Sequence, residues 1–236
     1  MIGFGLISEE PTDQIVLKNM IGGLLNTKKV FSRNLLPEWD DDDDDSLLDS
    51  PRSNNNAVFD FLKTERFRQF FENTDDFALI QIDTDALKAT EIKTEYRLPL
   101  SNLSVEACID TVQRKFIDLM GLSFYEKYQE RISFAISVDA LECWLLPIYY
   151  ENQKTQAAKS QGCLKALNEG LRKAGFSFTI HKKDLNYYRE ASRAYQKQKD
   201  FNRWYPLNPS LKIFIDDLSD KIEQAANTAK DRKSVV

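Results

Sequence analysis

The feature that most constrains the fold is the segment FALIQIDTD, in which Phe77 to Ile82 form a nearly continuous apolar run that ends at Asp83 and Asp85. Apolar runs of this length are typical of central strands in parallel sheets, which are buried on both faces. Further strands are predicted near 3–7, 28–34 and 132–138. Because strands and helices alternate, the sequence predicts an α/β fold with a mainly parallel sheet flanked by helices.

The predicted helices divide the chain into two parts. Within residues 1–150, helices are expected from Pro11, over 57–73, over 103–120 and from about Asp139. After residue 155 the pattern is helical, with segments near 157–174, 183–199 and 210–227. We therefore expect a core of residues 1–150 and a helical, locally basic extension of residues 151–236 packed on it.

Composition and charge exclude several function classes. No apolar run of 18 residues and no basic leader are present, which predicts a cytoplasmic protein without a membrane span. Three widely spaced cysteines are expected to be reduced core thiols, and the single histidine, His181, argues against histidine-based triads. The P-loop pattern is absent. Acid–base or metal chemistry must then rest on carboxylates.

Acidic residues follow the predicted strands. Glu9 and Glu10 follow the first strand, Asp83 and Asp85 the third, and Asp139 and Glu142 the fourth. Each has an ordinary alternative role at a helix start or in a turn. Since the carboxyl ends of parallel strands share one edge, we expect these groups to converge there, with Asp83 and Asp85 on one side if the strand extends that far. Mg²⁺ or Mn²⁺ would offset the resulting repulsion.

The order of GLISEEPTD followed by LIQIDTD resembles a TOPRIM domain, and ALECWLL resembles TOPRIM nucleases related to the OLD family and to prokaryotic defence proteins. The resemblance covers about residues 1–150. It implies Glu9, Asp83 and Asp85 as catalytic and metal-binding residues, with Asp13 and Glu142 as additional metal ligands. One departure is Glu10, because the family usually has glycine directly after the glutamate, where backbone and phosphate approach closely.

The activity implied by this resemblance is Mg²⁺- or Mn²⁺-dependent hydrolysis of DNA or RNA in an anti-phage defence or mobile-element system. The implied partners are the nucleic acid, an ATPase or sensor protein, and further copies of the chain. One alternative is a TOPRIM-fold module that has lost catalysis and binds a partner. Another is an aspartyl-phosphate phosphatase with Asp83 as the nucleophile, which leaves the SEEPTD segment unexplained.

Two charged segments lie outside this acidic set. Basic residues in the extension, Lys182, Lys183, Arg189 and Arg193, alternate with aromatic residues, a mixture suited to phosphates and unpaired bases. The alternative is that the aromatic side chains pack the helices onto the core. The six aspartates at 40–45 lie in a segment, 38–56, that we expect to be a mobile acidic surface loop.

Overall fold

A computed structural model describes residues 2–39, 56–88, 93–181 and 184–234. Its sheet has four parallel strands in the order β2-β1-β3-β4, with β1 at Phe4–Ile7, β2 at Ser32–Leu36, β3 at Phe77–Asp83 and β4 at Ile132–Ser137. The predicted α/β fold with a parallel sheet is confirmed. Residues 40–55 of the predicted acidic loop lie outside the described residues.

The helices cover both faces of this sheet. They are α1 (Pro11–Leu24), α2 (Ala57–Phe61), α3 (Glu65–Asn73), α4 (Val105–Met120), α5 (Leu122–Tyr128), α6 (Glu142–Tyr149), α7 (Lys154–Ala157), α8 (Cys163–Lys173), α9 (Leu185–Ser192), α10 (Gln198–Trp204) and α11 (Pro209–Ser234). Among these described helices, none is long and apolar enough to cross a bilayer.

Three predicted helices are interrupted. The segment 57–73 divides at Thr64, whose side chain accepts a hydrogen bond from the backbone N–H of Phe67 and caps α3. The segment 157–174 divides before α8, because Gly162 has a φ of 63° and leaves the helical region. The segment 183–199 divides into α9, a 3-10 turn and α10. The long apolar pattern indicated helix correctly but did not locate these breaks.

Alternate residues of the strands supply two hydrophobic clusters. Phe77 and Leu79 pack with α1, α6 and the helices of the extension, whereas Ala78, Ile80 and Ile82 pack with α2–α4. The two faces are therefore both buried, as a parallel sheet requires. The odd-numbered residues of β3, which include Gln81 and Asp83, lie on the face that carries α1 and α6.

The extension contributes directly to the first of these clusters. Leu167, Tyr195, Phe201 and Phe214 lie in it together with Phe4 of β1. α11 packs against β4, where Ser133 Oγ donates to Asp217 Oδ2 at 2.8 Å and Lys221 Nζ donates to the carbonyl of Ile132 at 2.6 Å. The helices after residue 150 thus share a hydrophobic cluster with β1, and the division of the chain at residue 150 stays a prediction.

The expectation of three reduced thiols is wrong for two of them. Cys143 and Cys163 form a disulfide that joins α6 to α8, with their Cα atoms 5.0 Å apart. Cys108 is buried in the cluster on the opposite face of the sheet. A spacing of 20 residues does not reveal this pairing, because proximity depends on how α6 and α8 pack.

The contact between α1 and the extension depends on Gly23. A Cβ atom there would lie 2.0 Å from the backbone oxygen of Tyr195, whereas a Cβ at Gly22 would lie 3.0 Å from the oxygen of Thr27.

We expect Gly23→Ala to lower the free energy of unfolding by roughly 1–3 kcal/mol through overpacking. Gly22→Ala is the control, with a change within about 1 kcal/mol because better helix propensity offsets its milder contact. Equal values in urea denaturation would contradict this packing.

Asp60 links α2 to the 3-10 turn at Thr94–Tyr96. Lys93 Nζ donates to Asp60 Oδ2 at 2.7 Å, the Tyr96 hydroxyl donates to Oδ1, and Lys63 Nζ lies 2.9 Å from Oδ1. Burial acts to raise the pKa of Asp60, but the hydrogen bonds from Lys93, Tyr96 and Lys63 outweigh it and lower the pKa to about 2. This stabilisation is fully present above the unfolded-state pKa of about 4 and is lost as the pH falls through about 2.

We expect the difference in free energy of unfolding between wild type and Asp60→Asn to shrink as the pH falls from about 5 to about 2.5. Its maximum should be roughly 1 kcal/mol or less, because the group is partly exposed and screened by water. Urea titrations at several pH values measure this difference. A difference that stays constant over the range would show that the ionised carboxylate contributes nothing.

Candidate functional site

The strand order places a crevice between β1 and β3. The chain passes from β1 through α1 to β2 on one side, whereas β3 lies on the other side of β1. In open parallel sheets, ligands bind at such a reversal, outside the carboxyl ends of the strands. A pocket of about 370 Å³ lies there and is partly open to solvent.

Carboxylates dominate the lining of this pocket. Seven acidic residues contribute to it: Glu9, Glu10, Asp13, Asp83, Asp85, Asp139 and Glu142. The structure thus brings together all five residues predicted as metal ligands, although their role as ligands stays a prediction. Among the described residues, no lysine, arginine or histidine lines the pocket. The seven acidic residues therefore make the pocket suited to a cation.

The orientation of Asp83 is set from within the sheet. Asp83 is the last residue of β3 and is only 7% exposed, and Gln81, fully buried two residues earlier, donates its side-chain N–H to Asp83 Oδ1 at 2.8 Å. Gln81 Nε2 also lies 3.4 Å from Ser137 Oγ of β4. Gln81 is thus a positioning residue that the sequence pattern did not identify.

Asp85 reaches the pocket through a turn rather than along the strand. β3 ends at Asp83, after which the N–H of Thr84 donates to the carbonyl of Ser137 and the N–H of Asp85 donates to that of Asp139. Asp85 is exposed. The convergence of Asp83 and Asp85 on one pocket is therefore observed, but the continued strand alternation is not its cause.

Glu9 and Glu10, which precede α1, both line the pocket. Glu9 is buried, whereas Glu10 is the N-cap residue of α1 and is less buried. Asp13 Oδ2 accepts a hydrogen bond from the N–H of Glu10 at 3.0 Å, a bond that caps the helix. Asp13 thus has a structural role whether or not it also binds a metal.

Glu142 connects the pocket to the extension. It is the first residue of α6, is 5% exposed, and accepts a hydrogen bond from the hydroxyl of Tyr188 in α9. Tyr188 is itself 1% exposed. Helical periodicity marked Glu142 as a helix-start residue, and only the folded chain shows the tyrosine beside it.

Four of these carboxylates, those of Glu9, Asp13, Asp83 and Glu142, are nearly buried. Like charges at short range in a poorly solvated region repel, and donors such as Gln81 and Tyr188 offset part of that cost. A cation bound in the pocket would lower this repulsion further. A donor set made of carboxylate oxygens fits hard divalent cations such as Mg²⁺ and Mn²⁺.

The nucleic-acid-binding role of the tail stays a prediction. Lys182 and Lys183 lie outside the described residues. Arg189 donates to Asn186 Oδ1, and exposed Arg193 pairs with Glu190 at 3.4 Å. Base stacking is ruled out for Tyr188, Tyr195 and Trp204, because these aromatic side chains are buried in the core. Burial also raises the pKa of the Tyr195 hydroxyl well above its usual value.

The comparisons with known proteins found no relative of this chain. No protein-family model, no curated protein and no solved structure matches the chain. The TOPRIM resemblance consequently rests on the quoted motifs alone, and the geometry of the pocket stands independently of it.

The hydrogen bond from Tyr188 to Glu142 makes a direct prediction about stability. Tyr188→Phe keeps the buried ring but removes a donor from a buried carboxylate, so the free energy of unfolding should fall by about 1–3 kcal/mol. The neighbouring Tyr187 is 38% exposed and stacks on Phe178, so Tyr187→Phe is the matched control and should change stability by less than about 0.5 kcal/mol. Equal effects of the two variants in urea denaturation would contradict a structural role for the hydroxyl.

Proposed function

We propose that this chain is a divalent-metal-dependent nuclease that hydrolyses phosphodiester bonds of DNA or RNA. The observation that carries the proposal is the convergence of buried Glu9, Asp83 and Glu142 on one pocket at the reversal between β1 and β3. These residues come from three separate parts of the chain. Buried carboxylates are costly to gather in one place, so a site that gathers them is a candidate for cation binding.

The acidic residues have distinct roles in this proposal. Asp83 and Asp85, with Glu9 and Glu142, hold Mg²⁺ or Mn²⁺, and Asp13 supports them from the first turn of α1. A cation held by these residues would supply the positive charge that polarises a phosphoryl oxygen and lowers the pKa of an attacking water. Gln81 keeps the Asp83 carboxylate aimed into the pocket through its 2.8 Å hydrogen bond. Glu9 accepts the proton that the attacking water loses.

The pocket is large enough for metal ions together with a phosphate group of a substrate. About 370 Å³, open on one side, accommodates hydrated cations and one phosphate group while the rest of the substrate lies outside. Phosphates of such a substrate would meet the positive charge of the cations and of the basic residues in the extension. The resemblance to defence-associated TOPRIM proteins supports placing this activity in an anti-phage or mobile-element system with a partner ATPase or sensor.

A second candidate is an interaction module with the same fold and without catalysis. The observation that favours it is Glu10, whose side chain adds a negative charge to the pocket at the position where glycine is usual in the family it resembles. That charge repels an incoming phosphate. Metal binding and cleavage separate the two candidates, because the module requires neither.

We expect Asp83→Asn to weaken Mn²⁺ binding at least about tenfold and to lower metal-dependent cleavage by at least about a hundredfold. The free energy of unfolding should stay constant or increase, because the substitution relieves repulsion among the carboxylates. The measurements are calorimetric Mn²⁺ titration, cleavage of labelled single- and double-stranded DNA and RNA, and urea denaturation. Asp118→Asn, at an exposed position of α4, is the matched control and should change none of the three.

Three results would contradict the nuclease. The first is wild-type protein that binds no Mn²⁺ or Mg²⁺ at millimolar concentration. The second is cleavage that survives Asp83→Asn. The third is cleavage lost equally in Asp118→Asn. Metal binding without cleavage of any of the four substrates would favour the interaction module, and trapping of a metal fluoride on Asp83 would indicate phosphatase chemistry.

A further inference from the structure

Two sulfur atoms lie at the rim of the acidic pocket. Cys143 is the second residue of α6, directly after Glu142, and Cys163 is the first residue of α8 and lines the pocket. Both are almost fully buried, and they are joined as a disulfide. Cys163 borders a pocket that is partly open to solvent, and small thiols and ions would approach the disulfide through this pocket.

Asp139 places a carboxylate beside these sulfurs. One carboxylate oxygen of Asp139 and the Sγ atoms of Cys143 and Cys163 all lie within 4.8 Å of one another. Asp139 Oδ2 lies 4.0 Å from Cys143 Sγ. The backbone of Asp139 is held in place, because its N–H donates to Thr84 Oγ1 at 2.8 Å and its carbonyl accepts from Asp85 at 2.9 Å. Its φ of 76° is unusual for a residue other than glycine. The carboxylate is thus positioned by the ends of β3 and β4.

The positions of the two cysteines allow both sulfurs to bind one metal ion once the disulfide is reduced. Each lies in the first turn of a helix, eight residues long for α6 and eleven for α8. The thiolate is the form of cysteine that binds metals, and a bound metal ion itself favours loss of the thiol proton. The same geometry that brings the sulfurs together for oxidation therefore also prepares them as a pair of ligands.

We propose that reduction of Cys143–Cys163 creates a zinc site formed by Cys143, Cys163 and Asp139. Two thiolates and one carboxylate are ordinary zinc ligands, with Zn–S distances of about 2.3 Å and Zn–O distances of about 2.0–2.2 Å. Water or a substrate oxygen in the pocket would supply the fourth ligand. This ligand set differs from the all-oxygen carboxylate set in the same pocket, which suits Mg²⁺ or Mn²⁺. The proposal goes beyond the nuclease and does not depend on it.

The redox step is balanced by a dithiol. Reduction takes two electrons and two protons from a small dithiol or a dithiol protein, which forms its own disulfide while Cys143 and Cys163 become thiols. Zn²⁺ then replaces the two thiol protons, which pass to water. The oxidised chain has no thiolate at either position, so disulfide formation and zinc binding exclude each other. One pocket can therefore carry a disulfide or a zinc ion at its rim according to the redox state.

The experiment compares the full chain in its oxidised and reduced forms. Protein reduced with a phosphine and freed of reductant under argon is titrated with Zn²⁺ against a chromogenic chelator, and with Co²⁺ to record the thiolate-to-cobalt charge-transfer band. We expect about one equivalent of tightly bound Zn²⁺ and a strong band for the reduced chain only. Zn²⁺ should also slow alkylation of Cys143 and Cys163, as measured by mass spectrometry, but not that of Cys108.

Variants assign the ligands. Cys143→Ser and Cys163→Ser should each weaken Zn²⁺ binding by at least about tenfold and reduce the charge-transfer band, and Asp139→Asn should weaken binding while leaving the band. Cys108→Ser, at a cysteine on the opposite face of the sheet, is the matched control and should bind as wild type does. The alkylation measurement on wild-type protein keeps the test decisive if a serine variant does not fold.

Two outcomes would overturn the zinc site. One is equal Zn²⁺ binding by the oxidised and reduced chains, which would place the ion on the carboxylates alone. The other is a reduced chain without a charge-transfer band or protection from alkylation, which would make the disulfide a purely structural link. Failure of the nuclease tests, by contrast, concerns Asp83 and leaves these thiol readouts unchanged.

Discussion

The parallel pairing of β1 with β3 is the constraint on which the rest of the structure depends. Its register joins Phe4 to Phe77 and Ile7 to Ile80, so β3 continues for three residues after β1 has ended. In that extra length β3 pairs only with β4, up to Asp83 opposite Ser137. The space above the end of β1 is filled by the turn into α1 instead of by a strand. Carboxylates from both strand ends can therefore share one pocket.

The strands and the acidic cluster were predictable because they follow from general constraints. Apolar runs bounded by turns located β1, β3 and β4, whereas β2 was predicted near 28–34 and lies at Ser32–Leu36; parallel strands have their carboxyl ends at one edge. The convergence of Glu9, Asp83 and Glu142 needed no knowledge beyond that. Asp85 and Glu10 were harder, because a turn and a helix cap decide where their side chains lie, and sequence alternation does not encode either.

The remaining features depend on long-range packing. The Cys143–Cys163 disulfide, the hydrogen bond from Tyr188 to Glu142 and the contact of Gly23 with Tyr195 all join segments whose proximity arises only when the helices are assembled. The mixture of aromatic and basic residues in the extension was compatible with nucleic-acid binding and with packing in the hydrophobic core. Tyr188, Tyr195 and Trp204 are buried, so these three side chains belong to the core. Local sequence patterns do not predict the role of a side chain when that side chain contacts an element far away in the sequence.

The packing of α11 on β4 bears on whether the chain can be divided. β4 is the last strand of the sheet on its side, and edge strands expose unpaired backbone groups that invite association with other chains. Lys221 of α11 donates to the carbonyl of Ile132 in this strand, and Ser133 of the strand donates to Asp217 of the helix. A fragment that ends near residue 150 would keep the seven acidic residues but lose this border of the sheet, together with the part of the pocket lining formed by Gly162, Cys163 and Leu164. Such a fragment would be prone to aggregate, so in this protein the segment with the candidate chemistry depends for its solubility on a helix at the far end of the chain.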